Sequence, residues 1–147
     1  MTYMTDTGRI AAVFNFWFAG GSAPSAPGYP FKLRLMTAMG AGNGNVAGSN
    51  GTELTGATGY TATGSSLGAS SPTFGTFSSA SPSAVTNSNS VSWSAGSTWT
   101  TVVGIEIWDN TPNRYLQGTT TSNITGVVNG DTVQFAAGSI SANPSAW

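Results

Sequence analysis

Short runs in which apolar residues alternate with hydroxyl-bearing or charged ones, each cut off by Gly, Pro or Asn, recur along this chain. That pattern constrains it to fold mainly as β structure. Phe31, Leu33 and Leu35 alternate with Lys32 and Arg34; Val91 and Trp93 alternate with serines; Val103, Ile105 and Ile107 alternate with Gly104, Glu106 and Trp108. A period of two sends neighbouring side chains to opposite faces, so each run reads as a half-buried strand. Asp109 to Asn113 supplies a turn, and Arg114 to Thr121 returns as the partner of the third run. A second hairpin centres on Asn129-Gly130, which tolerates positive φ, between Gly126-Val127-Val128 and Thr132-Val133-Gln134-Phe135. Thr52 to Thr63 is a further candidate strand around Leu54 and Tyr60, and Ile140 closes a last one.

One segment has a different period. From Thr5 to Ala19, Ile10, Val13, Phe14, Trp17 and Phe18 recur at three- and four-residue spacing, the stripe of an amphipathic helix. Thr5, Asp6 or Thr7 caps its start and Gly20-Gly21 ends it. Phe16 falls off the stripe. Either the helix lies on its own sheet with one ring half exposed, or it is buried on two sides, the second by a neighbouring molecule; the second reading is favoured slightly. One helix and roughly six to eight short strands argue an antiparallel β-sandwich or barrel-like domain with one N-terminal helix. A single domain over residues 1–147 is expected: helix and Pro/Gly/Ser linker to residue 30, then a β domain interrupted by a long Gly/Ser-rich loop at 64–89. Phe74 and Phe77 within that loop suggest that it lies down on a surface.

Chemistry is scarce. Four basic and five acidic residues are the only formal charges in 147, and there is no His and no Cys. Catalysis usually recruits His, an activated Cys or carboxylates of shifted pKa, so the chain points to packing or binding and not to an enzyme. Zinc and iron lack their nitrogen and sulfur ligands, and Asp6, Asp109 and Asp131 are too scattered for a calcium loop. No cofactor is implied. A net charge of -1 gives no attraction to phosphate backbones or anionic lipid, so neither nucleic acid nor membrane is an expected partner. The apolar run from Ile10 to Ala19 falls short of the roughly 20 residues of a membrane span, and Asp6 ahead of it argues against a cleaved signal.

The remaining site candidates have plain structural readings beside them. Glu106 and Asp109 as glycosidase carboxylates lack a tuned acid and base, and solvated surface charges are the favoured reading. Lys32 and Arg34 pair with Glu106 or with an acidic partner. Trp93, Trp99 and Trp108 are candidate sugar platforms with Asn and Gln reading hydroxyls, against the favoured reading that they pack in the core or against neighbours. Gly40-Ala41-Gly42-Asn43-Gly44 has no helix behind it to make a phosphate-binding turn.

In order along the chain stand the N-terminal helix, then Phe31-Lys32-Leu33-Arg34-Leu35-Met36-Thr37, then Gly51-Thr52-Glu53-Leu54-Thr55-Gly56-Ala57-Thr58-Gly59-Tyr60. They are followed by Trp99-Thr100-Thr101-Val102-Val103-Gly104-Ile105-Glu106-Ile107-Trp108-Asp109 and Val128-Asn129-Gly130-Asp131-Thr132-Val133-Gln134-Phe135-Ala136-Ala137-Gly138. In this order the chain resembles the small structural proteins of tailed bacteriophages, tail-fibre-like or head-decoration (cement) proteins, over nearly its full length. It departs from them in its longer Gly/Ser-rich middle, in Thr61 and Ala62 where a basic residue often follows the Gly-Tyr pair, and in the Pro144 to Trp147 tail.

The resemblance implies a virion structural protein on the capsid surface: a homotrimer that binds the major capsid protein and stabilises contacts between its subunits. It brings no catalytic residues. Phe14, Phe16, Trp17 and Phe18 of the helix, with Phe74 and Phe77 of the loop, are the expected oligomer or capsid contacts. The alternative is a tail-fibre or receptor-binding module that recognises host surface glycan.

Overall fold

A computed structural model describes residues 2–4, 16–22, 31–40, 51–62, 64–66, 85–87, 90–108 and 114–142. The expected helix start at 5–15, the linker at 23–30, the Gly/Asn loop at 41–50, the turn at 109–113 and the tail at 143–147 lie outside them. What is described is mainly β: β1 (Thr2–Met4), β2 (Lys32–Ala38), β3 (Thr52–Glu53), β4 (Ser65–Ser66), β5 (Val85–Thr86), β6 (Val91–Ser94), β7 (Val102–Trp108), β8 (Arg114–Ile124), β9 (Thr132–Phe135) and β10 (Ser141–Ala142). Among the described residues, 16–19 are helical. The strands form one six-stranded sheet, β1-β8-β7-β2-β3 with β4 also beside β2, and two small sheets, β6-β9 and β5-β10. Every pairing is antiparallel. Among the described strands the large sheet does not close on itself, so there is no barrel.

β7 lies between β2 and β8, and its register sets the two faces of the sheet. Leu35 lies opposite Ile105, and Leu33 opposite Ile107, so the apolar members of two alternating runs share one face. That face is the core: Leu33, Leu35, Ile105 and Ile107 are buried together with Leu54, Tyr60, Trp93, Trp99, Val127 and Val133. Each such side chain taken out of water is worth about 1.5–3 kcal/mol. Tyr60 lies at the aromatic centre, its ring 6.0 Å from that of Trp93 and 6.2 Å from that of Trp99, and Trp93 meets Phe135 edge-on at 6.2 Å.

The edge of β2 is covered in pieces rather than by one strand. β3 pairs with Met36 and Ala38, then leaves the sheet, and β4 returns to pair with Lys32 and Leu33. The expected strand over Thr52 to Thr63 is therefore only its first two residues, because Gly56 and Gly59 take positive φ (67° and 92°) and turn the chain away. Leu54 and Tyr60 still reach the core. Gly59 has no alternative residue: a Cβ there would collide with the Ser94 carbonyl oxygen, and Gly96 N–H donates to the Thr58 carbonyl at 2.8 Å beside it. Backbone is pressed on backbone.

Two further expectations are corrected. β9 pairs with β6, Trp93 opposite Val133, and not with residues 126–128. The Asn129-Gly130 turn does form, with Gly130 at φ 96°. It closes locally, Asp131 N–H to the Val128 carbonyl at 3.1 Å and Val128 N–H to Asp131 Oδ2 at 2.9 Å. It also bonds the end of β6, Gly130 N–H to the Ala95 carbonyl and Ala95 N–H to the Asp131 carbonyl, both at 2.8 Å. The stretch at 64–89 is not all loop. It carries β4 and β5, and just after β5 stands Asn87, which is buried. The Asn87 amide donates to the Ala136 carbonyl at 2.8 Å and accepts from Ile140 N–H at 2.8 Å. Its own carbonyl accepts from Gly138 N–H at 2.8 Å, so one side chain holds the 136–140 turn against β5.

Replacing Asn87 by Ala removes both side-chain bonds in a buried place, which costs about 2–3 kcal/mol. Thermal unfolding of Asn87→Ala is expected about 5–10 °C below wild type. A midpoint matching wild type would show that the 136–140 turn holds itself.

Candidate functional site

Of the described ionisable groups, Arg34, Glu53, Tyr60 and Glu106 are drawn at least partly inward, while Asp131 is exposed. Arg34, Glu106 and Gln117 lie opposite one another across β2, β7 and β8. Glu106 does face away from Ile105 and Ile107, as alternation requires, yet it is fully buried and accepts a 2.8 Å bond from Trp108 Nε1. The reading of Glu106 as a solvated surface charge is thus overturned. The strand is covered on both faces, and a carboxylate there is satisfied by partners instead of water. The Arg34 guanidinium lies 4.0 Å over the Trp108 ring and 3.6 Å from the Glu53 carboxylate. Its described ion-pair partner is therefore Glu53, in a partly buried setting, where an exposed pair had been expected with Glu106 or an outside partner.

Glu53 in turn accepts a 2.6 Å bond from the Tyr60 hydroxyl, and that hydroxyl accepts from Leu35 N–H at 3.1 Å. Burial, followed by the bond to Glu53, pushes the Tyr60 phenol well above its ordinary value. Arg34, Glu53, Tyr60, Trp108 and Glu106 thus form a network inside the fold. It ties β2, β7 and the segment from β3 to Tyr60 together. Among the described residues no group of three or more Asp or Glu is placed to hold a metal.

The three indoles take the favoured reading, packing, and not that of sugar platforms. Trp93, Trp99 and Trp108 are all buried, and Trp99 Nε1 donates to the Thr58 carbonyl at 3.1 Å. Indoles packed in this way present no free face to a ligand. Of the expected contact residues, Phe14, Phe74 and Phe77 lie outside the described residues. Phe16, Trp17 and Phe18 are exposed, by 42, 62 and 78%. The stripe assignment had put Trp17 and Phe18 against the chain's own sheet and Phe16 on the other side; instead Phe16 is the least exposed of the three. Trp17 and Phe18 meet edge-on at 6.5 Å, forming a short aromatic ridge that Gly20, at φ 68°, brings to an end.

One surface feature has no counterpart in the sequence reading. A cleft of about 500 Å³ opens beside β8 and β9, lined by Thr119, Thr120, Thr121, Gln134 and Phe135 and by the turn that Asn87 holds. Sequence could not announce it, because the residues that line it come together only when β9 pairs with β6. Among the described residues no helix is long and apolar enough to cross a membrane. Comparison with known proteins identifies no family: the chain matches no family model and no curated protein.

The Tyr60 hydroxyl gives the network a measurable signature. Because the folded phenol holds its proton more tightly than the unfolded one, its stabilisation is complete below about pH 10 and is lost as pH rises beyond, by up to about 1.4 kcal/mol per unit. Tyr60→Phe leaves Leu35 N–H without its acceptor and costs about 2–3 kcal/mol at neutral pH. Urea unfolding at pH 8 to 11 is expected to show the gap between wild type and variant narrowing above pH 10. A constant gap would mean that the phenol is not held.

Proposed function

We propose that this protein is a capsid decoration protein of a tailed bacteriophage. In this reading it is a homotrimer on the outer shell that adheres to the major capsid protein and stabilises contacts between neighbouring subunits. The observation that carries the reading is the exposed ridge of Phe16, Trp17 and Phe18 on a chain with so little charge. Three large rings in water gain several kcal/mol when a partner covers them, and exposed aromatic clusters mark interaction surfaces. The low net charge lets many copies stand side by side without strong repulsion. The order of motifs shared with phage structural proteins supports the same reading. Neither nucleic acid nor membrane has a role in it.

The finer architecture that fits this role is a β-sandwich, with the β6-β9 pair stacked through Trp93, Tyr60 and Trp99 on the core face of the large sheet. Such a body is stiff, and the ridge stands apart from its core. Adhesion then acts mechanically: apolar contact spread over several capsid subunits resists outward pressure from packaged DNA without any chemical step.

Phe16→Ser, Trp17→Ser and Phe18→Ser are each expected to melt within about 2 °C of wild type, since none fills the core. Binding to shells lacking the protein, followed by co-sedimentation, is expected to weaken at least tenfold for Trp17→Ser and Phe18→Ser, with a smaller loss for Phe16→Ser. The trimer is read in parallel by analytical ultracentrifugation. Variants that bind shells and assemble as wild type does would remove the ridge from the interface. Quantitative analysis of purified virions is expected to find copies in numbers comparable to the capsid subunits; a handful per particle would place the protein in the tail instead.

A further inference from the structure

The cleft beside β8 and β9 has no task in shell adhesion. Its volume, about 500 Å³, falls in the range of small-ligand sites. None of its lining residues carries a formal charge, so a phosphate, carboxylate or ammonium group entering it would lose water and gain no counter-charge. Nor is it a greasy pocket. Thr119, Thr121, Gln134, Ser139 and Ser141 are exposed on its walls, while Ile105, Ile140 and the half-buried Phe135 ring supply the apolar part. The Ser139 hydroxyl is already oriented, donating to the Ala136 carbonyl at 2.7 Å, which leaves its lone pairs free to accept. Asn87 fixes the turn that carries Ser139, so this wall does not need to be ordered by a ligand.

A ligand suited to these walls is uncharged, bears several hydroxyls or amides, and has C–H faces that can lie on an aromatic ring. We propose that the cleft is a binding site for a neutral oligosaccharide, with Thr119, Thr121 and Gln134 reading hydroxyls and Phe135 packing on a sugar face. The site differs from the indole platforms that the sequence suggested, all of which are buried. It goes beyond the decoration reading and does not depend on it.

The test is titration of the full chain with maltotriose, cellotriose, mannotriose, chitotriose and, as a charged comparison, a sialylated trisaccharide, followed by amide chemical shifts. At least one neutral trisaccharide at millimolar concentration is expected to shift the amides of Gly118 to Thr121 and of Ala136 to Ser141 saturably. Gln134→Ala, at an exposed position, is expected to bind about tenfold more weakly, the ratio that one lost hydrogen bond of ordinary strength gives. Thr121→Trp, which fills the cleft, is expected to abolish the shifts while keeping the wild-type melting temperature. Absence of shifts with every neutral sugar, binding of the sialylated sugar alone, or binding undiminished in both variants would overturn the proposal. Shell binding by Thr121→Trp is measured alongside; the ridge is intact in that variant, so failure of the sugar site and failure of the adhesion reading give separate results.

Discussion

The hydroxyl of Tyr60 occupies a place where the large sheet and the rest of the fold must agree. β2 needs a partner along its outer edge, and β3 is too short to provide it. At Leu35 the carbonyl takes Leu54 N–H at 2.8 Å and the N–H finds the Tyr60 oxygen. A side chain thus completes a ladder that backbone leaves unfinished, and a buried N–H without it would cost as much as a lost hydrogen bond. The same residue places its ring between Trp93 and Trp99, so satisfying the edge of the sheet and centring the core are one act. Glu53 and Arg34 hold the hydroxyl in line, and Gly59 lets the chain approach Ser94 closely enough to deliver it.

How far this could be read from residue order depends on whether the deciding interaction is local. Alternation located β2, β6 and β7, because period two is imposed within each strand, and turn signals located β8 and β9. The pairing of β7 with β8 was legible from the turn-forming residue types Asp, Asn and Pro between them in the sequence. The partner of β9 was not, since Asn129-Gly130 fits a local hairpin equally well. What decides is the long-range match of Val91 and Trp93 with Val133 and Phe135, together with the Ala95 bonds that receive the turn. Asn87 was hidden for the same reason. Asn is common in loops, and only its distant partners at 136–140 make it structural. Glu106 misled because alternation says which face a side chain takes and nothing about what covers that face.

The scarcity of charge has a second meaning once the fold is known. Arg34, Glu53 and Glu106, a third of the formal charges, are at least partly buried. They serve internal geometry, and among the described residues the exposed polar positions are Ser, Thr, Asn and Gln, with Asp131 as the exposed charge. The uncharged groups bond at contact range and project no field beyond it. With a net charge of only -1, long-range steering of a partner is weak, and association is expected nearer the unsteered rate of about 10⁵–10⁶ M⁻¹s⁻¹.

A surface of that kind discriminates by shape and by hydrogen-bond matching, since the chain has little charge to sort partners at a distance. In the roles proposed, the two features that stand out on it would divide these tasks. The ridge from Phe16 to Phe18 offers apolar area with no directional groups, which suits a broad, permanent contact. The cleft offers hydroxyls in fixed positions around a small apolar floor, which suits a small ligand of defined outline. Permanent adhesion and reversible recognition make opposite demands on a surface. Here the ridge lies on the short helix and the cleft on the sheets, so a change in either leaves the other chemically untouched.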